Sequence, residues 1–262
     1  MQGLFRNPLA DPGIIGVSGG AALGAALAIV LLAPLGQQWQ SLLGIGLLPL
    51  LAFLGGALTT TLVYLLGTRE GGTSVTVMLL AGVAVTALSG AVIGLLTYLA
   101  DDQMLRNLSL WQMGSLAAGK PVDVALALLT LVALLILFLR DANPLNALLL
   151  GEGEARHLGI QVQSLKRRLI LLTAAGVGVA VAVAGMIGFV GLVVPHLVRL
   201  LAGPNHVRLL PLSALLGAAL LLGADMLART LLAPAEMPVG IITALLGAPF
   251  FIWLLVKGRR TL

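Results

Sequence analysis

Charge is what this chain most lacks. Only 10% of its residues are Asp, Glu, Lys or Arg, whereas a soluble globular chain carries roughly 25%. A chain of 262 residues that is 59% hydrophobic cannot hide all of its apolar surface inside a water-soluble core. Cysteine is absent altogether, which removes disulfides and thiolate metal sites. No stretch has the form GxxxxGK[ST], so a phosphate loop of that kind is missing too. His157, His196 and His206 are dispersed without the spacing of a helical metal site, so no metal is expected. The apolar runs contain neither a Ser/His set nor paired carboxylates, so no catalytic residue is expected either. The opening residues, Met1 to Gly13, lack a secretory signal pattern. They read as an interior loop, which gives the expectation that the chain starts late.

Long apolar runs take the place of charge. Eight are read, at about 18–34, 47–67, 75–99, 122–139, 168–187, 189–202, 208–232 and 238–256. Runs of about 20 apolar residues cross a bilayer as helices. Lipid offers the backbone no hydrogen bonds, which leaves only helices or a closed barrel. These runs are too continuous for the two-residue alternation of a barrel. The expected fold class is therefore all-α, a polytopic membrane protein with one transmembrane domain over 1–262 and membrane lipid as its solvent. The 33 glycines fit, because helices in lipid associate by close backbone approach at small residues. The sixth run is short and contains Pro195. A broken or partly inserted helix is expected there, facing protein or a water-filled cavity.

Basic residues collect on the cytoplasmic side of membrane proteins. Alternate loops place 12 of the 15 Lys/Arg residues on one side and only Arg106, Lys120 and Arg229 on the other. Both termini and the 140–168 loop are accordingly expected in the cytoplasm. The same bias accounts for the formal charge of +5 without a nucleic-acid partner. The 100–121 connection is then external. Leu105, Leu108, Trp111 and Gln112 recur in it at helical spacing, which predicts a short amphipathic helix at the outer surface, anchored by Trp111.

The 140–168 stretch holds 5 of the Lys/Arg residues and 3 of the 10 Asp/Glu residues. Asn143, as N-cap ahead of Pro144, is expected to open a short helix that Gly151 ends. A second would run from Glu152 through Glu154, Ala155 and Arg156 to Gly159. Two short helices joined by glycine make a compact knob. Ala155 and Gly159 alternate there with exposed charges, as in a docking surface; a solvated loop cap is the plainer alternative.

The Glu154-Ala155-x-x-x-Gly159 pattern resembles the coupling motif of ABC importer permeases. Asn7-Pro-Leu-Ala-Asp-Pro-Gly13 with Gly16-Val-Ser-Gly-Gly20 looks like a signature loop of the iron-siderophore, haem and cobalamin permease family. So do Gly188-Phe-Val-Gly-Leu-Val-Val-Pro-His-Leu-Val-Arg199 and Ala224-Asp-Met-Leu-Ala-Arg229, followed by Glu236-Met-Pro-Val-Gly240 and Gly247-Ala-Pro-Phe250. The resemblance runs end to end. It implies the ten-helix BtuC-like permease fold in the bacterial inner membrane. It also implies a permease homodimer, two ATPase subunits that bind ATP and Mg²⁺, and a periplasmic substrate-binding protein. This chain itself is expected to bind no cofactor. Eight spans against ten imply that the family's first two are missing from this sequence.

By the same resemblance, residues 143–162 form coupling helices, with Glu152, Glu154, Ala155, Arg156 and Gly159 in the ATPase cleft. Arg229, oriented by Asp225, matches a position that receives a glutamate of the binding protein. The local alternative is an intrahelical ion pair worth a few tenths of a kcal/mol. Thr73, Ser74 and Thr76 fall where the family places its inner gate, although Thr73 or Ser74 also suits an ordinary helix cap. Leu105 to Leu116 looks most like the haem-importing branch. Arg106 then either pairs with a haem propionate or snorkels at the interface. Hemin is the expected cargo, with ferric siderophore or cobalamin as alternatives. An ion-coupled secondary carrier is more distant. Such carriers place ionisable residues at mid-membrane, where only Asp225 is a candidate, and they need no cytoplasmic knob.

Overall fold

The computed structural model describes residues 1–7, 10–33, 46–69, 72–117 and 119–258. Pro8 and Leu9 of the first signature loop, the end of the first expected span at 34, and Arg259 and Arg260 lie outside the described residues.

The apolar runs fold into helices. A 3-10 turn at Pro12–Ile15 leads into α1 (Val17–Val30), then α2 (Leu47–Gly67), α3 (Val75–Leu99), α4 (Asp102–Met113) and α5 (Pro121–Arg140). There follow α6 (Ala142–Leu150), α7 (Glu152–His157), α8 (Val162–Ala184), α9 (Val190–Ala202), α10 (His206–Leu231) and α11 (Val239–Gly258). Between α2 and α3 a small antiparallel hairpin joins β1 (Thr68–Arg69) to β2 (Gly72–Thr73), pairing Thr68 with Thr73. The fold class is all-α. Helices α2, α3, α5, α8 and α10 are long and apolar enough to cross a membrane, whereas α1, α9 and the Val239–Trp253 part of α11 are shorter apolar helices.

Small residues hold the centre together. Along α1, Gly20 and Gly24 face Gly55 and Ala52 of α2. A Cβ at Gly24 would overlap the Leu51 carbonyl, one at Gly20 the Gly55 carbonyl, and one at Gly55 the Gly20 carbonyl. Such contact between backbones is how helices gain dispersion energy in lipid, where no hydrophobic force drives them together. The Thr59 hydroxyl crosses the seam to donate to the Gly16 carbonyl at 2.8 Å. At the other extreme, α5 buries none of its residues. It is apolar along most of its length and presents Leu126, Leu129 and Val132 outward, as a lipid-facing helix does.

Connections gather at two ends. At one, α4, the turn after α8 and the start of α11 meet. The Ser115 N–H donates to the Ala184 carbonyl at 2.9 Å, and a Cβ at Gly240 would overlap the Met113 carbonyl. At the other end lie the 68–73 hairpin, α6, α7 and the start of α10. There Asn146 donates to the Asn205 side chain at 2.9 Å and accepts from the His206 N–H at 2.8 Å. A mostly apolar cleft of about 420 Å³ lies among α5, α8, α9 and α10.

Several local expectations are corrected. α1 ends at Val30, short of residue 34. α6 starts at Ala142 with Asp141 as its N-cap, so Asn143 is inside the helix rather than its cap. α5 and α6 are joined by the single residue Asp141, whose carboxylate pairs with Arg168. α7 stops at His157, with Gly159 in the following turn at a φ of +81°. Trp111 is partly buried and packs against the cluster of Ala21, Ala25 and Val181, so protein contacts help to hold α4 in place. The amphipathic helix itself forms as expected. Asp101 caps α4 by accepting the Met104 N–H at 2.7 Å, and Leu108 is buried. α9 has 13 residues and follows Phe189 at a φ of +68°. It is therefore about 20 Å long, short of the roughly 30 Å hydrocarbon core.

Candidate functional site

The knob is real and its inner face is apolar. Gly151, at a φ of +125°, lets the chain turn from α6 into α7. Ala155 is fully buried and joins Leu145, Leu148, Val162 and Leu165 in one core cluster. Its small side chain therefore seats α7 on the protein rather than offering a docking contact. Glu154, Arg156, His157 and Gly159 face outward. The acidic first turn and basic last turn of α7 suit the helix dipole, so the exposed charges cost the helix nothing.

Beneath the knob lies a cation that local sequence pattern does not single out. Lys166, in the first turns of α8, has a side chain only 3% exposed, and its ammonium is 2.6 Å from Glu152. Glu152 also approaches Arg156 at 3.8 Å. The same ammonium donates to the Thr73 carbonyl at 3.4 Å. Gln163, one turn earlier, accepts the Thr73 N–H at 3.0 Å. The Thr73 hydroxyl lies 3.1 Å from that of Thr68. Thr73 is thus buried and gripped from both sides. Gly72, at a φ of +112°, has no room for a side chain against Gln163. In the Lys166-Arg167-Arg168 run, Lys166 counts as one more loop charge; only the fold reveals that it points inward.

Arg168 holds the neighbouring corner. Its Nε donates to Asp141 at 2.8 Å, and a second nitrogen pairs with the other carboxylate oxygen. This two-point pairing ties the α5–α6 junction to α8, with Asp141 almost wholly buried.

Of the three hydroxyl residues marked for a gate, Thr73 is locked in the hairpin. Ser74 is the N-cap of α3, with its oxygen 3.5 Å from the Val77 N–H. Thr76 is exposed on the first turn of α3. At the opposite end, Arg229 donates to Asp225 at 2.8 Å and remains about half exposed. Arg106 is exposed on α4, on the same helix as Trp111. In the first signature loop, burial pushes the Asp11 carboxyl above its ordinary value, and the Gly13 N–H at 2.6 Å opposes that rise. The structure therefore brings Glu152, Ala155 and Thr73 into one hub, and leaves Arg229, Asp225 and Arg106 apart from it.

A family model described as the FecCD transport family matches residues 1–257. The chain belongs to this family. It is 50% identical over 263 aligned positions to the hemin transport system permease protein HmuU of Yersinia pestis, covering 99% of this chain and 76% of that one. It is 46% identical to the cobalamin import system permease protein BtuC of Halobacterium salinarum, covering 97% of this chain and 66% of that one. A solved structure described as an inward-facing conformation of a metal-chelate type ABC transporter superposes with a TM-score of 0.86 at 36% identity, over 98% of this chain and 79% of its own. The protein is a multi-pass membrane permease of the ABC importer class. Members of the family are permease subunits, which are not themselves catalytic.

Proposed function

We propose that this permease carries hemin across the inner membrane into the cytoplasm, driven by ATP hydrolysis in a partner subunit. The observation that carries the cargo is the 50% identity to a hemin permease over 99% of the chain. The cobalamin permeases, at 46% and 43% identity, favour cobalamin as the second reading, with a ferric siderophore as a further member of the same cargo class. The working unit in this reading is a permease homodimer with two ATPase subunits, which hold ATP and Mg²⁺, and a periplasmic binding protein. Both termini and the knob face the cytoplasm.

Roles follow from placement. Glu154 and Arg156 project from a helix whose other face is locked in the core, which is what a rigid contact for the ATPase requires. Movement of that contact biases a two-state arrangement of the helices, and alternating access needs such an element. Thr73, Ser74 and Thr76 border the cytoplasmic gate. Arg229, held out by Asp225, receives an acidic side chain of the binding protein, and Arg106 meets an anionic group of the cargo at the outer mouth.

The test is ATPase activity of the reconstituted permease with its ATPase, with and without binding protein. Stimulation by the hemin-loaded protein, beyond that by the empty or cobalamin-loaded one, is the expected result. Stimulation by cobalamin-loaded protein alone moves the cargo to cobalamin. Failure of the ATPase to bind removes the role of the knob. Reversing the two outward charges, Glu154→Arg with Arg156→Glu, is expected to uncouple hydrolysis from uptake while leaving the fold intact. Normal uptake by that double variant overturns the coupling assignment.

A further inference from the structure

We propose that Lys166 is the positioning residue that transmits movement of the knob to the gate hairpin. The proposal rests on the reading of α7 as the ATPase contact and of 68–76 as the gate region. Three elements converge on this one ammonium, the hairpin from 93 positions away in sequence. Glu152 begins α7 and pairs with it at 2.6 Å; the carbonyl of Thr73 ends β2 and accepts from it at 3.4 Å; α8 carries it. The lysine side chain is 3% exposed, while Glu152 is 40% exposed, so the ammonium is held inside and its carboxylate reaches from the surface. A buried ammonium without a partner is costly, so Lys166 follows its carboxylate when α7 shifts. The hairpin must follow in turn, because Lys166 and Gln163 hold both polar groups of the Thr73 backbone. The Met78 side chain, next to the hairpin on α3, lies in the same core cluster as Ala155, Val162 and Leu165. The apolar cluster therefore joins α7 and α8 to α3, the helix that follows the hairpin.

The geometry also says why the residue is a lysine. One ammonium has three donors and can serve the Glu152 carboxylate and the Thr73 carbonyl together. A carboxylate at 166 paired with a lysine at 152 restores the ion pair but has nothing to donate to Thr73. Exchanging the charges thus separates anchoring of the knob from transmission to the hairpin.

Because the chain has no cysteine, a single Thr76→Cys reports the gate region alone. The full permease carrying it is reconstituted with its ATPase, and maleimide labelling is timed with and without ATP plus vanadate. With Lys166 present, the labelling rate is expected to change at least threefold on nucleotide trapping. Lys166→Met should abolish that change while ATP hydrolysis continues, and Lys166→Arg, which keeps donors for both partners, should restore most of it. The exchange Glu152→Lys with Lys166→Glu should remain unresponsive. A nucleotide response that persists in Lys166→Met, or returns in the exchanged pair, overturns the proposal. Should Lys166→Met fail to assemble, Lys166→Arg and the exchanged pair decide between the same two outcomes. If labelling ignores nucleotide even with Lys166 in place, the gate assignment of 68–76 falls instead. Loss of ATPase binding by the reference protein removes the knob reading.

Discussion

The α1–α2 seam and the hub around Lys166 are held by opposite means. The seam has no charge. Gly20, Gly24 and Gly55 bring two backbones into direct contact, and one hydroxyl, that of Thr59, crosses it. The hub is built from a buried cation, one carboxylate, an amide and a glycine at positive φ, around the apolar seat of Ala155. The difference follows from solvent. In lipid, stability comes from close packing, and such contacts fail together. At the water-facing end, polar groups can be paired singly and directionally, so a displacement can be led along named bonds. The first arrangement resists movement; the second can pass it on.

The comparison breaks most easily at Gly24. Gly24→Leu forces a side chain into the Leu51 carbonyl, and neither helix can yield without parting from the other. A destabilisation of about 3 kcal/mol or more is expected, read as loss of monodisperse protein in detergent. Leu58→Ala, on an outward face of α2 that is 74% exposed, is expected to stay within about 0.5 kcal/mol. Equal behaviour of the two variants would mean that close approach does not hold the seam.

Glu152→Ala probes the hub at the next magnitude. It leaves the Lys166 ammonium buried with only a carbonyl at 3.4 Å, and because Glu152 itself is 40% exposed the cost falls between that of a surface pair and a buried one, about 1–2 kcal/mol. Glu154→Ala, two residues on but facing water, is expected to change stability by less than about 0.5 kcal/mol. Thermal unfolding of both in detergent measures the gap. A gap that closes would place Lys166 in contact with water.

The seam is far more legible in the sequence than the hub. Glycine content and long apolar runs announce helices in lipid, and Leu105, Leu108 and Trp111 at helical spacing announce α4. The shortness of the run around Pro195 announces α9. Gly151 marks the knob because a helix boundary is a local event. The hub escapes because its pairs are not local: Lys166 and Thr73 are 93 positions apart, and periodicity carries no information about such partners. Lys166 counts toward the inside charge, as does Arg168, although one is buried and the other ties down Asp141. Asn143 looks like the start of α6 because Pro144 follows it, whereas Asp141, the N-cap, gives its carboxylate to Arg168 and makes no side-chain cap. The packing of Trp111 is equally hidden, because Ala21 and Ala25 come from a helix that no local pattern links to it.

The smallest structural effect is expected at Arg229, and that smallness makes it informative. Its pair with Asp225 is an exposed contact one helical turn apart, worth a few tenths of a kcal/mol to the helix. Arg229→Ala should therefore leave thermal unfolding unchanged. If Arg229 only stabilises α10, association with the binding protein should be unchanged as well. If it receives an acidic side chain, the association rate should fall several-fold at low ionic strength, and the difference from the parent should shrink as salt is raised, because complementary charge acts mainly on encounter. Asp225→Asn divides the two further. It removes the residue that holds the guanidinium in place but keeps the positive charge, so steering should survive while the docked complex dissociates faster. A loss of stability in either variant larger than about 1 kcal/mol would show that this end of α10, like the hub, depends on its ion pair.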